Sequence, residues 1–377
     1  TFSPAKQNLI KLVADIRELA PDVFIMAGGT LVYTSYLMLK RSREPDYDTR
    51  SAVNEFLFLA TDNEPAVDLY IISLRGEQLL SDILERFQEH RGIDDISNCA
   101  RLIDKEYHFT ERMDDINSSE DIPVDWQMLP NDLFRAGVVP MQASNGCPYN
   151  CTFCNFTKDR RLTWVKSTER IVAEMKAVQE RGARYVWFVD DNFRLGNNDL
   201  GAVCRRFIDE HLELKWMTFV RASTLDHVDT DLLRQAGCIE VQLGIESADP
   251  HILKNMNKMA SPELYGRVLR KLLGSGINCS CYFIFGFPGE TEESAQHTQD
   301  FIQSFDDQDY EGSFSWSMFP FTLIPLSPIY EPGARMKYGI TGYLHKWQHA
   351  TMNSDQARDQ LLRAFLAIEK SGPIYRG

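Results

Sequence analysis

Between Gly137 and Phe319 the chain repeats one plan, an apolar strand followed by an amphipathic helix, at intervals of roughly 30 residues as βα units do. The strands are expected at Gly137–Ala143, Tyr185–Val189, Trp216–Val220, Glu240–Ile245, Cys279–Phe285 and Ser313–Phe319. Between them the spacing predicts helices over Thr168–Arg181, Leu200–His211, Asp231–Ala236, Ser261–Leu273 and Glu292–Phe305. Gly182 and Gly237 stop two of these helices, and Ser261 with Pro262 opens another. Six parallel strands with covering helices make a partial (β/α)6 TIM-type barrel over about 136–328, whose chemistry belongs at the strand C-termini. Directly after the first strand come Cys147, Cys151 and Cys154, spaced C-x3-C-x2-C. A tight loop of three soft thiolates suits an iron–sulfur cluster, with one iron left open. Zinc needs a fourth ligand nearby, and no Cys or His occurs between Cys154 and Cys204.

Polar residues collect at the other strand ends: Asp190-Asp191-Asn192, then Arg221, Glu246-Ser247, and Gly286 to Glu290. Any one pair reads equally as a helix cap or a turn. Four of them facing one mouth do not.

The cysteine loop, with Phe153 before its last ligand, resembles the signature of the radical S-adenosylmethionine (SAM) enzymes. That resemblance implies a [4Fe-4S] cluster on Cys147, Cys151 and Cys154, its open iron chelating SAM, and an external one-electron reductant of flavodoxin or ferredoxin type. Position by position, it places Asp190, Asp191 and Asn192 at the methionine amine. It places Arg221 at the carboxylate, Glu246 and Ser247 near ribose and sulfonium, and Ile284, Gly286 and Gly289 at adenine.

Ahead of the barrel, Gln7–Leu19 reads as an amphipathic helix, Val23–Ala27 and Val67–Ser73 as buried strands, and Leu79–Phe87 as a second helix. Turns at Gly28-Gly29-Thr30 and Arg75-Gly76-Glu77 follow the two strands, the grammar of a doubly wound, Rossmann-like sheet. The pair of turns is similar to the second half of the cobalamin-binding domain found before many radical SAM barrels. The resemblance therefore implies cobalamin at Gly28, Gly29, Thr30, Arg75, Gly76 and Glu77, on an incomplete domain over 1–100. The first strand and helix of that domain are absent, Leu74-Arg75 replaces the first half of a Gly-Glu-Gly-Glu turn, and no His precedes His90. Because the chain opens at Thr1 in mid-pattern, a missing N-terminal portion is expected. Residues 101–135 are acidic and poor in apolar side chains, and read as a linker.

The tail, 329–377, reads as a helical extension beside the substrate. Trp316, Trp347 and His349 are candidate substrate contacts, ordinary packing being the alternative. A net charge of −14 argues against a nucleic-acid partner. No apolar run approaches a membrane span, no signal pattern is seen, and eight cysteines without a disulfide framework suit a cytoplasmic enzyme. The resemblance as a whole points to a cobalamin-dependent methyltransferase acting on an unactivated carbon or phosphorus of a small, natural-product-type substrate. Two rivals stand beside it. One is a radical SAM enzyme that uses a 5′-deoxyadenosyl radical for rearrangement, cyclisation or methylthiolation without cobalamin. The other is a non-catalytic metal or cobalamin sensor.

Overall fold

The structure, a computed structural model, describes residues 6–60, 62, 64–74, 76–113, 124–135, 137–155, 164–193, 200–306 and 308–374. It divides into two compact units, Thr1–Ile122 and Pro123–Gly377.

The first unit contains α1 (Lys6–Leu19), β1 (Met26–Ala27), α2 (Thr30–Arg41), β2 (Leu69–Ile71), α3 (Glu77–Gln88), β3 (Cys99–Ile103) and β4 (Glu106–Phe109). Strand alternation sends Tyr70 and Ile72 to one face, where they pack with Val13, Leu31 and Val32 of α1 and α2. Leu69 and Ile71 face the other way, against Ile83 of α3. The sheet runs β1-β2-β3-β4, parallel between β1 and β2 and antiparallel thereafter. It is therefore mixed: the parallel β1–β2 pair belongs to the doubly wound pattern expected, and an antiparallel hairpin extends it. The difference is the β3–β4 hairpin, which lies in the stretch read as linker. β3 does not alternate in burial, and the alternation in β4 spans only four residues, too few to stand out beside the acidic stretch. Helix α2 is likewise not legible, because Leu31 to Ser35 are all buried and leave no polar stripe to mark a helical face.

The second unit opens with α4 (Asn131–Arg135), β5 (Val138–Met141), β6 (Ser144–Asn145), β7 (Trp164–Val165), α5 (Thr168–Glu180) and β8 (Tyr185–Phe188). It continues through α6 (Leu200–Asp209), β9 (Lys215–Phe219), α7 (Ala222–Leu225), α8 (Thr230–Gln235), β10 (Cys238–Glu246), α9 (Pro250–Asn255) and α10 (Pro262–Gly274). Then follow β11 (Asn278–Phe285), α11 (Glu292–Asp306), β12 (Phe314–Pro320), α12 (Pro332–Tyr338), β13 (Thr341–Tyr343), β14 (Lys346–His349), β15 (Met352–Asn353), α13 (Ser354–Ala367) and β16 (Gly372–Pro373). Seven strands form one parallel sheet in the order β16-β12-β11-β10-β9-β8-β5, the six expected plus a two-residue seventh.

One face of this sheet packs under the helices. Val186 and Phe188, Val241, Leu243 and Ile245, and Phe283 and Phe285 supply its core. Cys279 and Cys281 point the same way and are fully buried, as packing residues, and burial pushes both thiols up. The tail is not only helical, since β13, β14 and β15 form a small antiparallel sheet. No helix among the described residues is long and apolar enough to cross a membrane.

Candidate active site at the strand ends

The cysteine loop is held from two sides. After β8, Asp190 accepts from the backbone N–H of Ala143 (3.3 Å) and from both N–H and hydroxyl of Ser144, while Asp191 accepts from the N–H of Gly146 (3.0 Å). Burial lifts the Asp190 carboxyl to about 6, against those hydrogen bonds, which favour its ionised form. On the far side, the Thr152 N–H and hydroxyl donate to the carbonyls of Met256 (2.9 Å) and Asn255 (2.8 Å), and Asn257 reaches the Asn150 carbonyl (2.9 Å). The loop is thus clamped between the end of β8 and the segment that follows α9.

Cys147, Cys151 and Cys154 are all half-buried on this loop. Desolvation is the main cause that raises the Cys147 thiol, with Cys151 nearby adding to it and Arg221 opposing. The Arg221 guanidinium lies 3.6 Å from Cys151 Sγ, sits 3.7 Å over the Tyr149 ring and donates to the Lys258 carbonyl. Among the described residues no three His, Cys, Asp or Glu side chains converge as ligands of a single ion. A cubane does not require convergence, since each thiolate meets a different iron.

Lys258 is the residue that sequence reasoning missed. Its ammonium donates to Glu246 Oε1 at 2.9 Å and lies 5.8 Å from the Phe153 ring. Both side chains are about nine-tenths buried, at 8% and 10% exposed. Lys258 follows a short helix in a segment without periodicity, so nothing in its neighbourhood marks it. Glu246 takes a left-handed backbone (φ 69°), which turns the chain out of β10 and over the strand end. Gly244 makes room for the pair, because a Cβ there would lie 2.4 Å from Glu246 Oε1 and 3.3 Å from Phe219.

The remaining expected residues divide. Asn192 is buried, and among the described residues neither end of its amide has a partner, so it offers a donor and an acceptor among the strand ends. Ser247 instead meets Thr298 of α11 (3.2 Å) and donates nothing to the mouth. The Ile284–Gly289 stretch curls over β11 with Gly286 at φ 89°, where a Cβ would strike Ala357 at 2.4 Å and Trp347 at 2.7 Å. Trp347 and His349 stack on each other and support this turn from behind. The Trp347 indole donates to the Phe321 carbonyl (2.8 Å) and His349 Nε2 to the Gly286 carbonyl (3.1 Å). Burial lowers the His349 pKa, and the bond to the Gly286 carbonyl opposes that shift. Trp316 lies in the helix-side core, edge-on to Phe365, with its N–H on Ser371. Alternation along β12 announces two faces but not which one meets the helices, and here the aromatic face does.

Gly28 and Gly29 end β1, Thr30 begins α2, and Gly76 and Glu77 begin α3 after β2. Both helices start at a glycine N-cap, Gly29 and Gly76, which provides no side-chain cap. Arg75 lies outside the described residues.

Glu290 is fully buried beneath the Gly286 turn. One oxygen accepts from the Gly286 N–H and the other has no partner among the described residues. Desolvation raises its pKa from 4.5 to about 8. A carboxyl raised on folding binds its proton more tightly in the native state, so its contribution to stability falls as pH climbs from about 4.5 to 8. Glu290→Gln keeps the acceptor and cannot ionise. It is expected to match wild type at pH 5 and exceed it by roughly 2–4 kcal/mol at pH 8.5, measured by urea unfolding at both values. An equal difference at both would contradict the assignment.

Residues 141–302 match the family model described as the Radical SAM superfamily. The chain is 25% identical over 311 residues to an uncharacterized methyltransferase of Pyrococcus horikoshii, which covers 77% of this chain and 66% of that one. It is 32% identical over 174 residues to bacteriochlorophyllide d C-12(1)-methyltransferase of Chlorobaculum tepidum (44% and 37%). It is 31% identical over 178 residues to hopanoid C-2 methylase of Rhodopseudomonas palustris (43% and 32%). The chain thus spans from a third to just under two thirds of these relatives. Among solved structures, it resembles the radical SAM methyltransferase TsrM of Kitasatospora setae, solved with cobalamin and a [4Fe-4S] cluster (TM-score 0.61, 18% identity, 85% of this chain and 61% of that one). It also resembles the cobalamin-dependent radical enzyme OxsB (TM-score 0.56, 17%, 86% and 44%). At such identities the likeness is one of fold. Taken with the cysteine loop at the mouth of a parallel half-barrel, the match supports one statement: residues 141–302 of this chain are similar to the radical SAM superfamily.

Proposed function

We propose that the chain forms the cofactor-binding and catalytic part of a cobalamin-dependent methyltransferase, which moves a methyl group from SAM to an unactivated carbon or phosphorus of a small molecule. The observation that carries this reading is the run from Cys151 Sγ through Arg221 to the Lys258 carbonyl and the Glu246 carboxylate, which joins the cysteine loop to the strand ends. Three half-buried thiols on one tight loop, with the Arg221 guanidinium 3.6 Å from Cys151 Sγ, are a soft sulfur donor set that fits a cluster. Cys147, Cys151 and Cys154 would hold three irons. The buried Asn192 amide, unpartnered among the described residues, fits the amino-acid end of SAM, and the fork of Arg221 fits its carboxylate. Ile284, Gly286 and Gly289 would border adenine. In the first unit, the glycine-capped starts of α2 and α3, after Gly28-Gly29 and at Gly76-Glu77, fit the polar rim of a corrin. When bound, the cluster supplies an electron to SAM and cobalamin relays the methyl group. Radical SAM enzymes need a reductant, and a flavodoxin- or ferredoxin-type donor suits that need.

The chain's own residues bind and orient. Asp190 and Asp191 hold the loop in shape, and the Glu246–Lys258 pair fixes the wall beside it. The test is anaerobic reconstitution with iron, sulfide and hydroxocobalamin, then SAM and a reductant. Retained corrin and formation of S-adenosylhomocysteine, with or without 5′-deoxyadenosine, are expected. Release of 5′-deoxyadenosine alone from protein that retains no corrin would overturn the methyltransferase reading.

A further inference from the structure

Strand alternation gives the parallel sheet a second face, turned away from the helices, and that face has a definite chemistry. Its lower layer is polar and hydrogen-bonded within itself. Glu240 accepts from Ser280 (2.7 Å) and Gln242 (3.4 Å), Ser280 meets Ser315 (3.2 Å), and Tyr282 OH donates to Gln242 (3.4 Å). Above it, toward the strand ends, lie three rings. Phe219 of β9 is 5.9 Å from Tyr282 of β11, at 33° between planes, and Tyr282 is 6.4 Å from Phe319 of β12, at 23°. Gly244 of β10 sits opposite Tyr282 in register, so no side chain breaks the row between Phe219 and Tyr282. Phe319 is half exposed, which is unusual for a ring already stacked on one side. The row lies directly below the Glu246–Lys258 pair, since a Cβ on Gly244 would touch Glu246, Lys258 and Phe219 together.

We propose that Phe219, Tyr282 and Phe319 form a stacking shelf that selects a planar, conjugated ring system as the methyl-accepting substrate, with Phe319 the specificity-determining side chain. The inference rests on the preceding reading of the site as catalytic. The polar layer below is hydrogen-bonded within itself and forms a floor on which the rings stand. Near-parallel rings extend most favourably by a further offset-stacked ring, whereas a saturated ring of equal size gains only contact area. Continuity with the Glu246–Lys258 pair then holds such a ring at the strand ends, where the barrel's chemistry belongs.

The test uses the reconstituted 377-residue chain and a matched pair of probes, 2-naphthoate and decahydro-2-naphthoate. Their dissociation constants are measured by titration calorimetry, in the presence of SAM, for wild type, Phe319→Leu and Phe319→Ala. Wild type is expected to favour the aromatic probe by about tenfold, and Phe319→Leu, which keeps apolar bulk, to reduce that preference about fivefold. Iron content and SAM affinity should not change in either variant. Equal affinity for both probes, a preference untouched by Phe319→Leu, or displacement of SAM by naphthoate would overturn the shelf. A chain that assembles no cluster and still shows the Phe319-dependent preference supports the shelf and contradicts only the cofactor reading.

Discussion

Cys151→Ala is expected to yield a folded protein that retains no [4Fe-4S] cluster and turns over no SAM. The thiol it removes is the one facing Arg221, and the loop around it is fastened by backbone hydrogen bonds from Thr152 rather than by the cysteine itself. The fold should therefore survive, with unchanged far-UV dichroism, while the brown absorbance disappears and product formation drops to background. Cys147→Ala and Cys154→Ala should behave alike. Cys281→Ala and Cys204→Ala supply the control, because both thiols are fully buried in the helix-side core. These two should keep their iron and lose some stability, since a small cavity replaces each sulfur. Iron and sulfide assays on the five variants decide the matter, and full iron in Cys151→Ala would remove that thiol from the ligand set.

The largest effect on stability is expected from Lys258→Met. Removing the ammonium leaves the Glu246 carboxyl nine-tenths buried without its cation, and breaking a buried pair in this way typically destabilises by about 3–5 kcal/mol. The double variant Lys258→Met with Glu246→Gln removes both charges and should recover most of that loss. Urea unfolding of both reads the difference directly. If Lys258→Met were as stable as wild type, the pair would be no more than a surface contact, and the wall it forms beside the cysteine loop would lose its support. The same substitution tests position as well as stability, because the Lys258 carbonyl anchors Arg221. A Lys258→Met protein that folds should therefore also bind SAM more weakly.

How much of this was written in the sequence depended on periodicity. The strands of the second unit, such as Glu240–Ile245 against the observed Cys238–Glu246, were legible because apolar residues recur there at every second position or in short runs bounded by turns. Three cysteines within eight residues announced themselves by chemistry alone. The β3–β4 hairpin was not legible, since its exposed acidic positions look like a linker until β2 pairs with it. Trp316 shows the limit of period-two reasoning, for the pattern gave two faces and the helix Ser354–Ala367 chose between them. Lys258 and Gly244 could not be found locally. Their significance arises only when β10 turns back at Glu246 and brings a lysine twelve positions later onto that carboxylate. Asp190 looked like a ligand contact and is engaged in holding Ala143 and Ser144, a distinction that only hydrogen-bond partners reveal.

Everything chemical proposed for this chain depends on a cubane with one iron not held by protein. Mössbauer spectroscopy of the anaerobically reconstituted protein, recorded with and without SAM, tests that most directly. The expected result is a [4Fe-4S] spectrum in which SAM shifts one iron site and leaves three unaltered. A spectrum in which SAM shifts no site, or metal analysis that finds zinc in place of iron on Cys147, Cys151 and Cys154, would contradict it.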